Sequence, residues 1–114
     1  MPYDEELAVR VRTTVQREDG LTEKRMFGGL AFLINGHLAV SASSKGGLLV
    51  RVKPEETESL LDQARVGLFE RRGREMDGWL HVSAEALRDD DDLQVWVTRG
   101  IDYARSLPPK QGAS

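Results

Sequence analysis

Leu30-Ala31-Phe32-Leu33-Ile34-Asn35-Gly36-His37-Leu38-Ala39-Val40-Ser41-Ala42 is the stretch whose reading decides the fold. Leu30, Phe32 and Ile34 alternate with Ala31 and Leu33, and a period of two is that of a β-strand. Asn35-Gly36 follows directly, and both residues tolerate the positive φ that a type I′ hairpin turn requires. Leu38, Val40 and Ala42 continue the alternation on the return strand. After a loop from Ser43 to Gly47, Leu48, Val50 and Val52 supply a third strand. The reading is a three-stranded antiparallel meander.

Helical patterns flank it. From Asp4 to about Asp19, Leu7, Ala8, Val11, Thr14 and Val15 form one apolar stripe, with Asp4 as cap and Gly20 as stop. Arg10, Arg12 and Arg17 fall off that stripe and face solvent or a partner. Pro54 opens a second helix, with Thr57, Leu60, Leu61 and Ala64 on its buried face and Gly67 at its end. Short extended pieces follow, with turns at Arg72-Gly73 and Asp77-Gly78, and Trp79-Leu80-His81-Val82 is the clearest strand. Ser83 caps a short turn through Leu87. Asp89-Asp90-Asp91-Asp92 then stands at the positive end of a last helix, whose stripe is Leu93, Trp96, Val97, Gly100, Ile101 and Ala104. The far end of that helix carries Arg99 and Arg105, and Pro108-Pro109 terminates it. The expected order is α-β-β-β-α-β-β-α, an α+β sandwich with an antiparallel sheet covered by helices on one face and open on the other.

Composition narrows the function classes. The chain has 114 residues, no cysteine and a formal net charge of −3. One domain is expected over 3–110, with a frayed tail at 111–114. Disulfides, thiolate metal sites and cysteine nucleophiles are excluded, and a domain-wide cationic footprint for nucleic acid is disfavoured. Met1-Pro2-Tyr3-Asp4-Glu5-Glu6 is not the basic start of a signal peptide, so a cytoplasmic protein is expected.

No catalytic template fits. His37 and His81 are far apart and lack ligand spacing, so no metal is expected, and no cofactor either. Ser41, Ser43 and Ser44 sit in no nucleophile elbow and read as turn chemistry. Gly28-Gly29 and Gly46-Gly47 match no phosphate cradle. Gly28-Gly29 instead marks a bulge or a close approach of another chain segment. The expectation is a protein without catalytic residues.

The residues also resemble a family. Lys24-Arg25-Met26-Phe27-Gly28-Gly29-Leu30-Ala31-Phe32, the Asn35-Gly36 hairpin, Leu48-Leu49-Val50-Arg51-Val52 and Met76-Asp77-Gly78-Trp79-Leu80-His81-Val82 are similar to the N-terminal domain of the TfoX/Sxy proteins. The resemblance implies an α/β sandwich of the kind seen in YjbR-like proteins and type III secretion chaperones. It implies a bacterial regulator associated with competence and transcription, with no catalytic residues to carry over. The family's regulators have a second, C-terminal helical domain. This sequence ends soon after its last helix, so a stand-alone N-terminal domain is expected.

Two functions follow as expectations. The first is a non-enzymatic regulatory or protein-interaction module that binds a protein partner or a second copy. Its candidate surface is Lys24, Arg25, Met26, Phe27, Gly28, Gly29, Arg74 and Trp79. The alternative is direct nucleic-acid binding through Lys24, Arg25, Arg71, Arg72 and Arg74, although Glu23, Glu70, Glu75 and Asp77 are interleaved among them.

Overall fold

The computed structural model describes residues 4–26, 28–62, 65–71 and 74–108, with backbone alone for 70, 71 and 74–77. It is an α+β fold built on one six-stranded antiparallel sheet. In chain order the elements are α1 (Glu5–Val15), β1 (Leu21–Met26), β2 (Gly29–Ile34), β3 (His37–Ala42), β4 (Leu48–Arg51), α2 (Thr57–Leu60), β5 (Val66–Arg71), β6 (Arg74–Val82) and α3 (Asp90–Ser106). Short 3₁₀ turns at Pro54–Glu56 and Ala84–Leu87 precede α2 and α3. The strand order is β1-β2-β3-β4-β6-β5, so β1 and β5 are the two edges.

The central hairpin forms as its sequence dictates, with φ of +52° at Asn35 and +86° at Gly36. Helix starts are also fixed locally. Asp4 accepts the N–H of Leu7, Ser83 that of Ala86, and Asp89 that of Asp91. Leu7, Ala8, Val11 and Val15 of α1 are buried, as are Leu93, Val97, Ile101 and Ala104 of α3. These side chains join Leu30, Phe32, Ile34, Val40, Ala42, Leu48, Val50, Leu80 and Val82 in the main core. Gly100 lets α3 approach the sheet closely: a Cβ there would strike the Ala39 carbonyl and the Val40 side chain.

Six details differ from the sequence reading. An additional strand, β1, contains Lys24 and Arg25, which therefore do not precede the first strand. It escapes detection because only its ends, Leu21 and Met26, are half-buried, while Thr22 to Arg25 are exposed. Helix α1 stops at Val15, and Thr14 is exposed, its hydroxyl bonding back to the Arg10 carbonyl. Gly20 does not end α1. It belongs to the connection to β1, where its carbonyl accepts the Asn35 N–H. Helix α2 is a single turn that ends at Leu60. Leu61 is extended and exposed, Gly67 lies in β5, and Ala64 falls outside the described residues. Reciprocal backbone bonds between Asp62 and Val66 start β5 there instead.

The last two differences are bulges. Phe32 pairs with Val40 but Leu33 pairs with Leu38, leaving Ala39 as the extra residue. Ala39 and Val40 both join the main core, and Leu38 moves to the opposite sheet face. Asp77-Gly78 is likewise a bulge inside β6 and not a turn. Leu68 pairs with Leu80 and Phe69 with Met76, so residues 77–79 are looped out relative to β5. The turn expected at Arg72-Gly73 and the tail at 111–114 lie outside the described residues.

Candidate functional site

Among the described residues no helix covers the second face of the sheet, yet that face is not polar. Ala31, Leu38 and Leu49, from three adjacent strands, form a small buried cluster there. Half-buried Met26, Leu33, Phe69 and Trp79 pack around it. The cross-strand register defines one row over this face: Lys24, Ala31, Ser41, Leu49, His81, Gly67. Lys24 is exposed at one end of the row.

Each wall has a local cause. Trp79 pairs across the ladder with Arg51, whose guanidinium lies 5.1 Å from the Trp79 ring centroid and 5.5 Å from that of Tyr103 on α3. The Phe69 and Trp79 rings lie 6.4 Å apart, tilted by 35°. The β6 bulge that precedes Trp79 is pinned on both sides. Gly78, with φ +83°, donates its N–H to Thr57 Oγ1 and accepts the Val52 N–H, each at 2.8 Å. On the row itself, Ser41 donates to the Leu30 carbonyl at 3.1 Å, so its hydroxyl lies buried without an orphaned bond.

The predicted interaction residues are only partly brought together. Met26 and Trp79 pack on the same cluster, and Lys24 shares its face. Arg25 pairs with Leu30 of the main core and so belongs to the other face. Gly28 lies in the tight link from β1 to β2, and Gly29 opens β2 opposite Met26. Gly28 has φ +77° and lies against Ser44, and a Cβ at Gly29 would overlap the Ala42 carbonyl. The pair therefore marks a close approach between strands. Phe27 lies outside the described residues, and Arg74 is placed by backbone alone, opposite Arg71. Of the nucleic-acid set, Lys24 and Arg25 lie on edge strand β1, on opposite faces. Arg71 and Arg74 lie at the far end of the β5–β6 hairpin, at the other edge, and Arg72 is outside the described residues.

Sequence reasoning missed Arg51, Leu33, Leu38 and Leu49. One signal was available: Leu30 to Ile34 is apolar without a break, as in strands with both faces covered. His37, His81 and Ser43 are occupied with structure. His37 Nε2 donates to the Pro108 carbonyl at 2.6 Å and His81 Nε2 to the Gly46 carbonyl at 2.7 Å. Ser43 Oγ accepts the Lys45 N–H. Among the described residues, no three His, Asp or Glu side chains are grouped to hold a metal ion, and no helix is long and apolar enough to cross a membrane.

The architecture defines a class: an α+β domain with helices on one face of an antiparallel sheet and an apolar patch on the other. Residues 13–104 match the family model described as the TfoX N-terminal domain, and the chain belongs to that family. No curated protein and no solved structure gives a significant match.

Proposed function

We propose that this domain is a non-enzymatic protein-interaction module that docks a partner on the helix-free face of its sheet. The observation that carries the reading is the Ala31, Leu38 and Leu49 cluster, surrounded by half-buried Met26, Leu33, Phe69 and Trp79. Ala31, Leu38 and Leu49 are themselves buried, so the surface offered to a partner is the half-buried ring around them, and apolar side chains gathered where no described helix covers them mark an interaction site. The sheet edge is a poorer candidate, because Thr22, Glu23, Lys24 and Arg25 expose β1 as a charged strand that resists edge pairing. The regulatory part of the proposal, association with transcription or competence, draws on membership of the TfoX family. The nucleic-acid alternative has less support, since its cations are divided between the two edges of the sheet.

Site-specific photo-crosslinking in cells tests the reading. A photoreactive phenylalanine at Leu33 samples the helix-free face, and one at Val9 samples the exposed side of α1. Protein adducts from position 33 and none from position 9 are expected. Adducts from position 9 alone, or from neither, overturn the proposal.

A further inference from the structure

Arg51, like Arg99 over Trp96, is held by aromatic rings, and it lies two residues from Leu49 on β4, on the side of the helix-free face. Arg10 bonds Asp90, Arg12 bonds Glu23 and Arg105 bonds Glu18, each at 2.7–2.9 Å. Arg51 is half-buried between the rings of Trp79 and Tyr103, and among the described residues it has no ion pair or hydrogen bond. The two rings hold the guanidinium in place, and no described residue uses its fork of N–H donors. A pre-oriented guanidinium of this kind is suited to a carboxylate, which it can bind with two parallel hydrogen bonds. Lys24, likewise unpaired among the described residues, stands across the apolar cluster from it. Strands β1 and β4 are three spacings apart, roughly 14 Å. The cluster therefore lies between two cations that no described carboxylate pairs with.

Resting on the docking face proposed above, we infer that its partner is an acidic amphipathic protein segment. Apolar side chains would seat on half-buried Met26, Leu33, Phe69 and Trp79, one carboxylate would bind Arg51, and a second would lie near Lys24. A second copy is a worse fit. A two-fold contact would set this face against itself, and its described residues offer Lys24 and Arg51 no counter-charge. A nucleic-acid strand is also a worse fit. It needs open ring faces for stacking, whereas Trp79 already carries the Arg51 guanidinium and lies beside Phe69.

A random peptide library selected on the folded protein tests the inference. Enriched peptides should pair Asp or Glu with apolar residues, and selection on the Leu33→Asp variant should lose them. In fluorescence anisotropy, the best peptide should bind Arg51→Gln about tenfold more weakly or worse, since Gln cannot replace the charge-assisted pair of bonds. Lys24→Gln, at an exposed position, should weaken it severalfold, as should replacing the peptide's acids by their amides. Enriched peptides without acidic bias that are lost on Leu33→Asp would overturn this inference and leave the docking face standing. No enrichment over Leu33→Asp would overturn both. Binding of a fifteen-residue oligothymidine that Arg51→Gln abolishes would overturn the inference in favour of nucleic acid. Self-association in sedimentation that Arg51→Gln abolishes would overturn it in favour of a second copy.

Discussion

Thr57 accepts the backbone N–H of Gly78 on its hydroxyl oxygen at 2.8 Å, in the interior of the protein. This bond ties α2 to the bulge in β6, and the next residue is Trp79, the wall of the docking face. The placement of Trp79 therefore depends on a side chain far away in sequence. Thr57→Val keeps the shape and removes the acceptor, leaving a buried N–H without a partner. We expect a loss of about 1–3 kcal/mol, and Thr57→Ser should restore most of it. Thermal melts of the three proteins check this, and a Val variant melting with the wild type would refute it.

Gly29 and Gly46 separate two reasons for having glycine. At Gly29 a Cβ would overlap the Ala42 carbonyl, so Gly29→Ala should force β2 and β3 apart at a cost of about 1–3 kcal/mol or more. Gly46 has φ +81° but open space around it, so Gly46→Ala should cost only the backbone strain, about 1–2 kcal/mol. Denaturant titrations should rank Gly29→Ala as the more harmful. Amide exchange should quicken at the β2–β3 pairing in that variant alone.

Much of this fold was legible because its signals are local. Asn35-Gly36 sets the hairpin, and Asp4, Ser83 and Asp89 cap the helices they precede. What was not legible depends on contacts distant in sequence. Edge strand β1 has no alternation to read, since only one of its sides meets another strand. The register shift at Ala39 moves Leu38 to the second face, where simple alternation would keep it with Val40. Arg51 acquires meaning only once β6 inserts between β4 and β5 and brings Trp79 opposite it.

The Arg12–Glu23 pair links α1 to edge strand β1 through two bonds of 2.8 and 2.9 Å. Hydrogen bonding from Arg12, aided by its charge and opposed by slight burial, holds the Glu23 carboxyl below its ordinary value of 4.5. A lowered folded-state value means that the unfolded chain binds the proton more readily. The contribution is therefore complete above the ordinary value and disappears as the pH falls through the lowered one. Both side chains are partly exposed, at 47% and 34%, so screening keeps it to about 0.5 kcal/mol. Glu23→Gln should melt slightly below the wild type at pH 7 and together with it at pH 2. An equal gap at both pH values would rule out the ion pair as its source.

Leu33 and Ile34 are neighbours in β2 that serve opposite faces, which makes them the sharpest test of a two-sided sheet. Ile34 is fully buried in the main core beneath the helices, whereas Leu33 is half-buried beside the second cluster. Ile34→Ala leaves a cavity that close-packed neighbours fill poorly, at a cost of about 2–5 kcal/mol. Leu33→Ala gives up only part of a side chain's burial, about 1 kcal/mol. Their effects on docking should run the other way. Leu33→Ala should weaken a bound peptide severalfold while the protein stays folded, and Ile34→Ala should leave affinity unchanged wherever the domain remains native. Melting curves and peptide anisotropy on the same two samples decide it. If stability and affinity fall together in both variants, the second face is only a minor part of the core and not a separate surface.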